Sequence, residues 1–345
     1  MISVKKFDNI QAKIFVDYSK LFYSDKNATD LELIKWKFVN SQSNDSYHLT
    51  LNDDQGSVKG RAVLNERFLN VSNVKSLLTQ VTDLLVVGSD LKSFITIIKN
   101  YKILKNACVI HTSNLNSEKI YLKFFKFKKL LSLSAFALPV RLDNFFPNLL
   151  KLAIFKFFFS IYSFVIFTIF SIINALNNVR FQVLNSKEIS SRDFEYFSVY
   201  QTSLLKTSES IRWRYFDSPY NYQIFRIYLS NINIGFIATR QATLNELTFL
   251  IIMDFVPNQK LSFIALLRIR LKLVSLSIEY KVDALFGMFN AQNDIGRGFF
   301  KFPFFKVPDR FLPHETPIFI SSNNKDLNLD GLSEMYFSLS DLDYF

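Results

Sequence analysis

The chain has 345 residues, 49% of them hydrophobic, with 39 Phe and 15 Tyr against only 8 Gly and 8 Pro, and a formal net charge of +11. Such a chain buries a substantial core, which excludes disorder for its bulk, and its scarcity of glycine argues against glycine-cradled phosphate loops and collagen-like repeats. The single cysteine, Cys108, excludes an intrachain disulfide and a cysteine-based zinc cluster, so no metal is expected and a reducing compartment fits.

The N-terminal segment lacks the apolar run of a secretory leader, and the chain is read as staying inside the cell. Trp36 follows in the string IKWKF (34–38), basic on both sides of the indole. An apolar strand is expected to end near Asp83, followed by a helix and a second strand through Cys108 to His111. The stretch KIYLKFFKFKK (119–129) holds five lysines in eleven residues with aromatics between them. It reads as a strand with its lysines in water, as a contact for anionic lipid, or as a contact for single-stranded nucleic acid.

Residues 157–179 carry no charge, and as a helix they extend about 35 Å. Ser160, Ser163, Ser171, Asn174 and Asn178 fall on one narrow stripe, the pattern of a helix that lies in a membrane interface. A helix buried between domains and a true span are the alternatives. Basic residues outnumber acidic ones 21 to 13 over 1–143 and 3 to 0 over 144–183, and balance at 17 each over 184–345. The excess therefore sits in the first half and the connector, where an anionic surface attracts it.

In the second half, 222–229, 232–239 and 247–254 read as consecutive antiparallel strands. Residues 258–280 read as a helix with Ile264, Leu267, Leu271, Val274 and Ile278 on its apolar face and Arg268, Arg270 and Lys272 on its polar one. The order of the first half is repeated here. Trp213 in IRWRY (211–215) matches Trp36, Asp254 matches Asp83, and Asn290 before FFKFPFFK matches Asn114 before FFKFKK. The reading is α+β: two mixed-sheet domains, 1–143 and 184–345, joined by the long apolar helix of 144–183.

The segments IRWRYFDSPYNY (211–222), LIIMDFVPNQKLSFIALL (250–267), FNAQNDIGRGFFKF (289–302), FSLSDLDYF (337–345) and NLNSEKIYLKFFKF (114–127) resemble the GNAT acyltransferase superfamily. The resemblance is nearer to tandem-GNAT proteins of bacterial surface-polysaccharide synthesis. It implies two GNAT-like domains, each with a sheet splayed beside its central strand to receive acyl-CoA, in the first instance acetyl-CoA, with the pyrophosphate at the N-terminus of the following helix. It places the cofactor at Gly88, Ser89 and Asn114 in one half and at Val256, Asn258 and Asn290 in the other, although neither half carries the family's glycine loop. It makes Tyr121 the acid for the departing thiolate, Asp83 and Asp254 the candidate bases, and His111 a further candidate near the cleft. Trp36, Trp213, Arg214 and Tyr215 are expected either to line an acceptor pocket by stacking on a sugar or to anchor the core.

The implied activity is transfer of an acyl group to an amino sugar of a nucleotide- or lipid-linked glycan precursor. The implied location is cytoplasmic, peripheral or monotopic at the inner membrane. The alternatives are a non-catalytic tandem protein that binds membrane or a glycan-assembly partner, and an aminoacyl transferase that draws on tRNA, the one nucleic acid considered.

Overall fold

The apolar runs form strands β1 (Ile2–Lys6), β2 (Ser46–Asn52), β3 (Val58–Val71), β4 (Val74–Val86), β5 (Cys108–Thr112), β6 (Lys128–Pro139) and β7 (Val179–Val183). They continue as β8 (Ser203–Leu204), β9 (Tyr222–Leu229), β10 (Ile232–Leu244), β11 (Leu247–Pro257), β12 (Ala284–Asn290), β13 (Phe305–Lys306) and β14 (Pro317–Ser322). This is a computed structural model; it describes residues 1–23, 29–40, 45–71, 74–112, 115–145, 157, 158, 160–162, 164, 168, 178–244, 246–301, 303–308, 317–322 and 330–342.

The strands form one sheet in the order β1-β2-β3-β4-β5-β14-β6-β12-β11-β10-β9-β7, with β8 on β3 and β13 on β6. Read from either edge, four antiparallel strands lead into one parallel pair. β4 runs parallel to β5 from Leu78↔Cys108 to Val81↔His111, and β11 to β12 from Phe249↔Ala284 to Ile252↔Gly287. Between the strands of each pair the chain passes through a helix, Leu91–Lys99 or Phe263–Glu279. The run LTFLIIMDFVP in β11 is apolar almost throughout because both faces of that strand are covered.

Two separate sheets were expected, and the chain makes one. The cause is the length of β6: its first residues pair with β14 and Leu133 to Pro139 pair with β12. β14, from the end of the chain, thereby lies between β5 and β6. The connecting helix expected over 157–179 falls largely outside the described residues. Its described positions, 157, 158, 160–162, 164 and 168, are helical, and Tyr162 donates to the Pro139 carbonyl at 2.9 Å. Among the described residues no helix is long and apolar enough to cross a membrane. The lysine-rich stretch 119–129 is the end of the helix Leu115–Phe124 and the start of β6, not one strand.

Trp36 and Trp213 sit in matching turns. Each lies in a π-helical turn, Lys35–Val39 or Arg212–Phe216, which continues a short helix capped by the Asp30 or Thr207 side chain. The two indoles stack at 5.3 Å and 23°, and each Nε1–H donates to the other tryptophan's carbonyl at 2.9 Å. These are the only tryptophans. Their coupling is expected to dominate the near-ultraviolet circular dichroism, and either Trp→Phe substitution should abolish that signal. A double-mutant cycle on urea unfolding should give a coupling of about 1 kcal/mol or more, and strict additivity would contradict the stack.

Candidate functional site

Each parallel pair stops before its strands do, so the strand ends diverge. A register shift accompanies the divergence in both, at Arg61/Val63 against β4 and at Ala238/Thr239 against β11. Asp83 takes a left-handed φ of +51° in the first of these bulges. The two openings then differ. Asp83 to Val86 at the end of β4 are only half-buried, whereas Met253 to Pro257 at the end of β11 are all buried.

The second opening is filled by the chain's own residues 335–338. Tyr336 accepts a hydrogen bond from the Phe255 N–H of β11 at 3.0 Å, and the Asn290 N–H of β12 donates to the Phe337 carbonyl at 3.0 Å. The Asn290 amide donates to the Ser333 and Met335 carbonyls, both at 2.8 Å. Asn290, proposed from sequence as a cofactor contact, is thus committed to holding this segment.

Where the segment reaches β11 it builds a buried polar cluster. The Asp254 carboxylate, 0% exposed, accepts from Lys206 Nζ at 2.7 Å, Tyr336 Oη at 2.6 Å, Tyr215 Oη at 3.2 Å, Ser340 Oγ at 3.1 Å and Ser338 Oγ at 3.4 Å. Lys206 also reaches Asp341 at 3.3 Å, and Asp341 accepts from the Ser338 N–H at 2.9 Å. Burial alone would lower the Lys206 ammonium, but the two carboxylates overcome it and raise it above its usual value. Burial pushes the Asp341 carboxyl up, Lys206 opposes that, and the Asp254 charge adds to it. Burial, reinforced by the Asp254 charge, raises both Tyr215 and Tyr336 well above the usual phenol value, so both stay protonated donors.

The cluster floors a cavity of about 280 Å³ at the seam between the sheet halves. Arg67 and Phe68 of β3 form one wall, and Lys206, Trp213, Arg214 and Tyr215 stand opposite. The guanidinium carbons of Arg67 and Arg214 lie 5.3 and 4.7 Å from the Trp213 ring, which fixes both cations at the cavity. On the far side of the floor, Gln80 of β4 donates to the Asp341 carbonyl at 2.9 Å, one residue before the β4–β5 ladder ends. The cavity floor is therefore tied to β4 through Gln80, three residues before the half-buried end of that strand begins at Asp83.

Of the residues read from sequence, Asp254, Trp213, Arg214 and Tyr215 are brought together here. Asp83 is elsewhere, paired with Lys37 at 3.2 Å. Trp36 spends one face of its ring on Trp213 and meets Tyr220 edge-on at 6.3 Å. Tyr121 is fully buried and ringed by Phe94, Phe127 and Phe319. Val256 is buried in β11, and Asn258 braces the neighbouring loop, donating to the Asn233 carbonyl at 3.0 Å. Gly88 is an exposed turn residue at φ +64°, the Ser89 backbone follows it in the same turn, and the His111 backbone is the last of β5 to pair with β4. Asn114 and the side chains of Ser89 and His111 lie outside the described residues. Lys206, Tyr336 and Asp341 were missed. FSLSDLDYF stood out as a string, but nothing in it signalled that it turns back onto Asp254.

The residues that would hold the phosphates of acyl-CoA differ between halves. In the first, Asp90 caps the helix Leu91–Lys99 and accepts from the Lys92 and Ser93 N–H groups at 3.0 and 3.3 Å, so a carboxylate stands where a phosphate would sit. In the second, neutral Ser262 caps the helix Phe263–Glu279 through the Ala265 N–H at 3.2 Å. Among the described residues no group of His, Cys, Asp and Glu is placed to hold a metal ion.

No protein-family model matches the chain, and no curated protein matches it in sequence. Solved structures do resemble it. A GCN5-related N-acetyltransferase from Anabaena variabilis superposes with a TM-score of 0.60 at 9% identity over 94% of this chain and 73% of its own. A conserved Enterococcus faecalis protein described as a probable N-acyltransferase gives 0.58 at 10% over 93% and 72%. The N-myristoyltransferase of Saccharomyces cerevisiae, solved with bound myristoyl-CoA, gives 0.54 at 10% over 92% and 82%. The fold is GNAT-like. Each match runs through both halves of the GNAT-like sheet, since each covers more than nine-tenths of the chain.

Proposed function

We propose that this chain is an N-acyltransferase that takes an acyl group from a thioester, acyl-CoA being the donor its fold suggests, and places it on an amine held in the seam cavity. The observation that carries the reading is the contact of Gln80 with Asp341, which ties the cavity floor to β4 three residues before its half-buried end begins. On this reading a donor arm at the half-buried end of β4 reaches an amine in the cavity across that contact. The filled opening beside β11 leaves the first half as the donor side.

The amine must lose a proton before or as it attacks the thioester carbon. Five donors surround Asp254, more than the four lone-pair sites of a carboxylate can hold at once, which leaves it no free site for that proton. Asp341, raised by burial and held by fewer donors, is the better acceptor. We assign Asp254 to holding Lys206 and the two phenols in place, and Asp341 to taking the proton. The nitrogen–carbon bond forms, the carbon–sulfur bond breaks, and the thiolate leaves with a proton from solvent.

Arg67 and Arg214 suit an acceptor bearing phosphate, in keeping with an amino sugar on a nucleotide- or lipid-linked glycan precursor. Phe157, Phe158, Ile161 and Phe164 are exposed on the connector, and the excess charge lies in 1–183. Both support a peripheral place at the inner membrane, and the matched tryptophan turns and strand orders support two duplicated domains.

The test is thiol release from acetyl-CoA in the presence of a nucleotide-linked amino sugar. Asp341→Asn is expected to lower the rate about a hundredfold or more with the fold retained. A variant as fast as the wild type would remove Asp341 from the chemistry, and no release by the wild type would leave the non-catalytic reading. One observation favours that second reading: Asp90 repels phosphate at the first half's helix N-terminus while residues 335–338 close the second half's opening.

A further inference from the structure

Each tryptophan of the stacked pair lines a cavity of its own. Trp213 stands in the seam cavity, and Trp36 stands in a second one of about 710 Å³, a size typical of small-ligand sites. The two share a framework. A glutamate four residues before the indole lines each cavity, Glu209 with Trp213 and Glu32 with Trp36. Four residues after the indole, each π-helical turn is closed by a polar residue, Asn40 or Asp217, and both of these line the second cavity.

The charge of the two linings is opposite. Arg67, Lys206 and Arg214 face the seam cavity, whereas the charged residues among the described lining of the second, Glu32 and Asp217, are both acids. In a chain with a net charge of +11 this inversion needs a cause. The cause is where the four cations beside the tryptophans go. Arg214 lines the seam cavity, but its counterpart Lys37 is drawn away to Asp83 at 3.2 Å. Arg212 is bound to the Ser186 and Ile189 carbonyls at 2.9 and 3.0 Å. Lys35 reaches Glu32 at 2.7 Å without itself lining the cavity, and the pair is exposed enough for solvent to weaken it. Asp217 has no ion pair and no side-chain hydrogen bond among the described residues. The second cavity therefore holds carboxylates that no cation of this chain neutralises from within it.

We infer that this second cavity binds a small molecule carrying a primary ammonium. Glu32, Asp217 and the Asn40 carboxamide oxygen supply acceptors for its three N–H bonds. Ser218 takes the Tyr220 N–H at 3.1 Å and keeps its own O–H to donate to a ligand hydroxyl. Trp36 is an apolar wall for the ring or alkyl stem that bears the nitrogen. An amine held between carboxylates stays protonated, so this is a binding position and not the one where an amine would attack. The site stands whether or not the chain transfers acyl groups.

The experiment is titration of the full chain with glucosamine and with spermidine at mildly acidic pH, where both are cations, followed by the fluorescence of the only two tryptophans. A saturable change is expected with at least one of them. N-acetylglucosamine, which keeps the ring and lacks the charge, should bind at least about tenfold more weakly than glucosamine. Asp217→Asn and Glu32→Gln alter exposed side chains, should fold as the wild type does, and should weaken binding of the responding amine by at least about tenfold and several-fold. Glu209→Gln, in the seam cavity, should leave that binding unchanged. No saturable response to either amine, undiminished binding by Asp217→Asn, or an equal loss in Glu209→Gln overturns the site. Tighter binding of glucosamine than of spermidine marks an amino sugar as the ligand, and the reverse marks a polyamine. Slowed thiol release in Asp341→Asn with this titration intact separates the failure of one claim from that of the other.

Discussion

Replacing Lys206 by methionine is expected to destabilise the protein by about 3–5 kcal/mol at neutral pH, measured as a fall in the urea midpoint at unchanged slope. The ammonium lies between Asp254 and Asp341, all three buried, so its removal leaves two carboxylates without a counter-ion. Attraction between the charges is not what is lost on balance, since it is largely offset by their desolvation. The loss comes from the acids left behind. That origin fixes the pH dependence. Asp341 already titrates above its unfolded value of 3.8, and without Lys206 it rises further. A carboxyl raised in the folded state binds more protons folded than unfolded above 3.8, so its stability contribution falls as pH rises through that window. The deficit of Lys206→Met should therefore shrink steadily from neutral pH toward about pH 5. A deficit independent of pH would mean that packing, not charge, holds this cluster together.

How much of this site could be read from the chain depends on how local its determinants are. The strands over 222–229 and 247–254, the helix after them and the paired tryptophan turns are set by local periodicity and caps, and the structure places elements there. Asp254 was legible because it ends an apolar strand before a helix. What made it a site was not. Lys206 is 48 residues away, and Tyr336, Ser338 and Asp341 are more than 80 residues away, brought in by a segment whose apolar-polar alternation, Phe337 to Ser340, is too short to announce where it packs. The rotation of the helix Phe263–Glu279 was misread for a related reason. Periodicity assumes that charge faces water, and Arg270 breaks that assumption while Ile264 gives up its place in the core. The single continuous sheet was equally hidden, because nothing in the length of β6 says that a second set of strands will share it.

Acidification should unfold the protein through His48, which no functional reading uses. The imidazole lies under the helix Asn9–Ser19 beside Phe7 and Phe15, at ring distances of 5.4 and 5.8 Å. Nδ1–H donates to the Gln11 side-chain carbonyl at 3.1 Å, and Nε2 has no partner among the described residues. A proton on Nε2 would be buried without an acceptor. Burial, with the positive charges of Arg61 and Lys5, accordingly pushes His48 from 6.5 down to about 3. A base depressed in the folded state binds fewer protons folded than unfolded between those two values, so stability falls as pH drops below 6.5. From about pH 7.5 to about pH 4.5 this one residue should remove about 3 kcal/mol. In His48→Gln the amide still donates to Gln11 but does not titrate. Its urea midpoint should fall less steeply with acid by that amount, even though the variant starts from lower stability. Parallel profiles for the two proteins would place the acid sensitivity elsewhere. The raised carboxyl of Asp341 pulls the other way, since it gains stability as pH falls. Lys206→Met enlarges that gain, so its pH profile should be flatter than that of the wild type for a reason opposite to that of His48→Gln. Combining the two substitutions should reverse the slope, because the base that opposes protonation is gone and the acids that favour it remain.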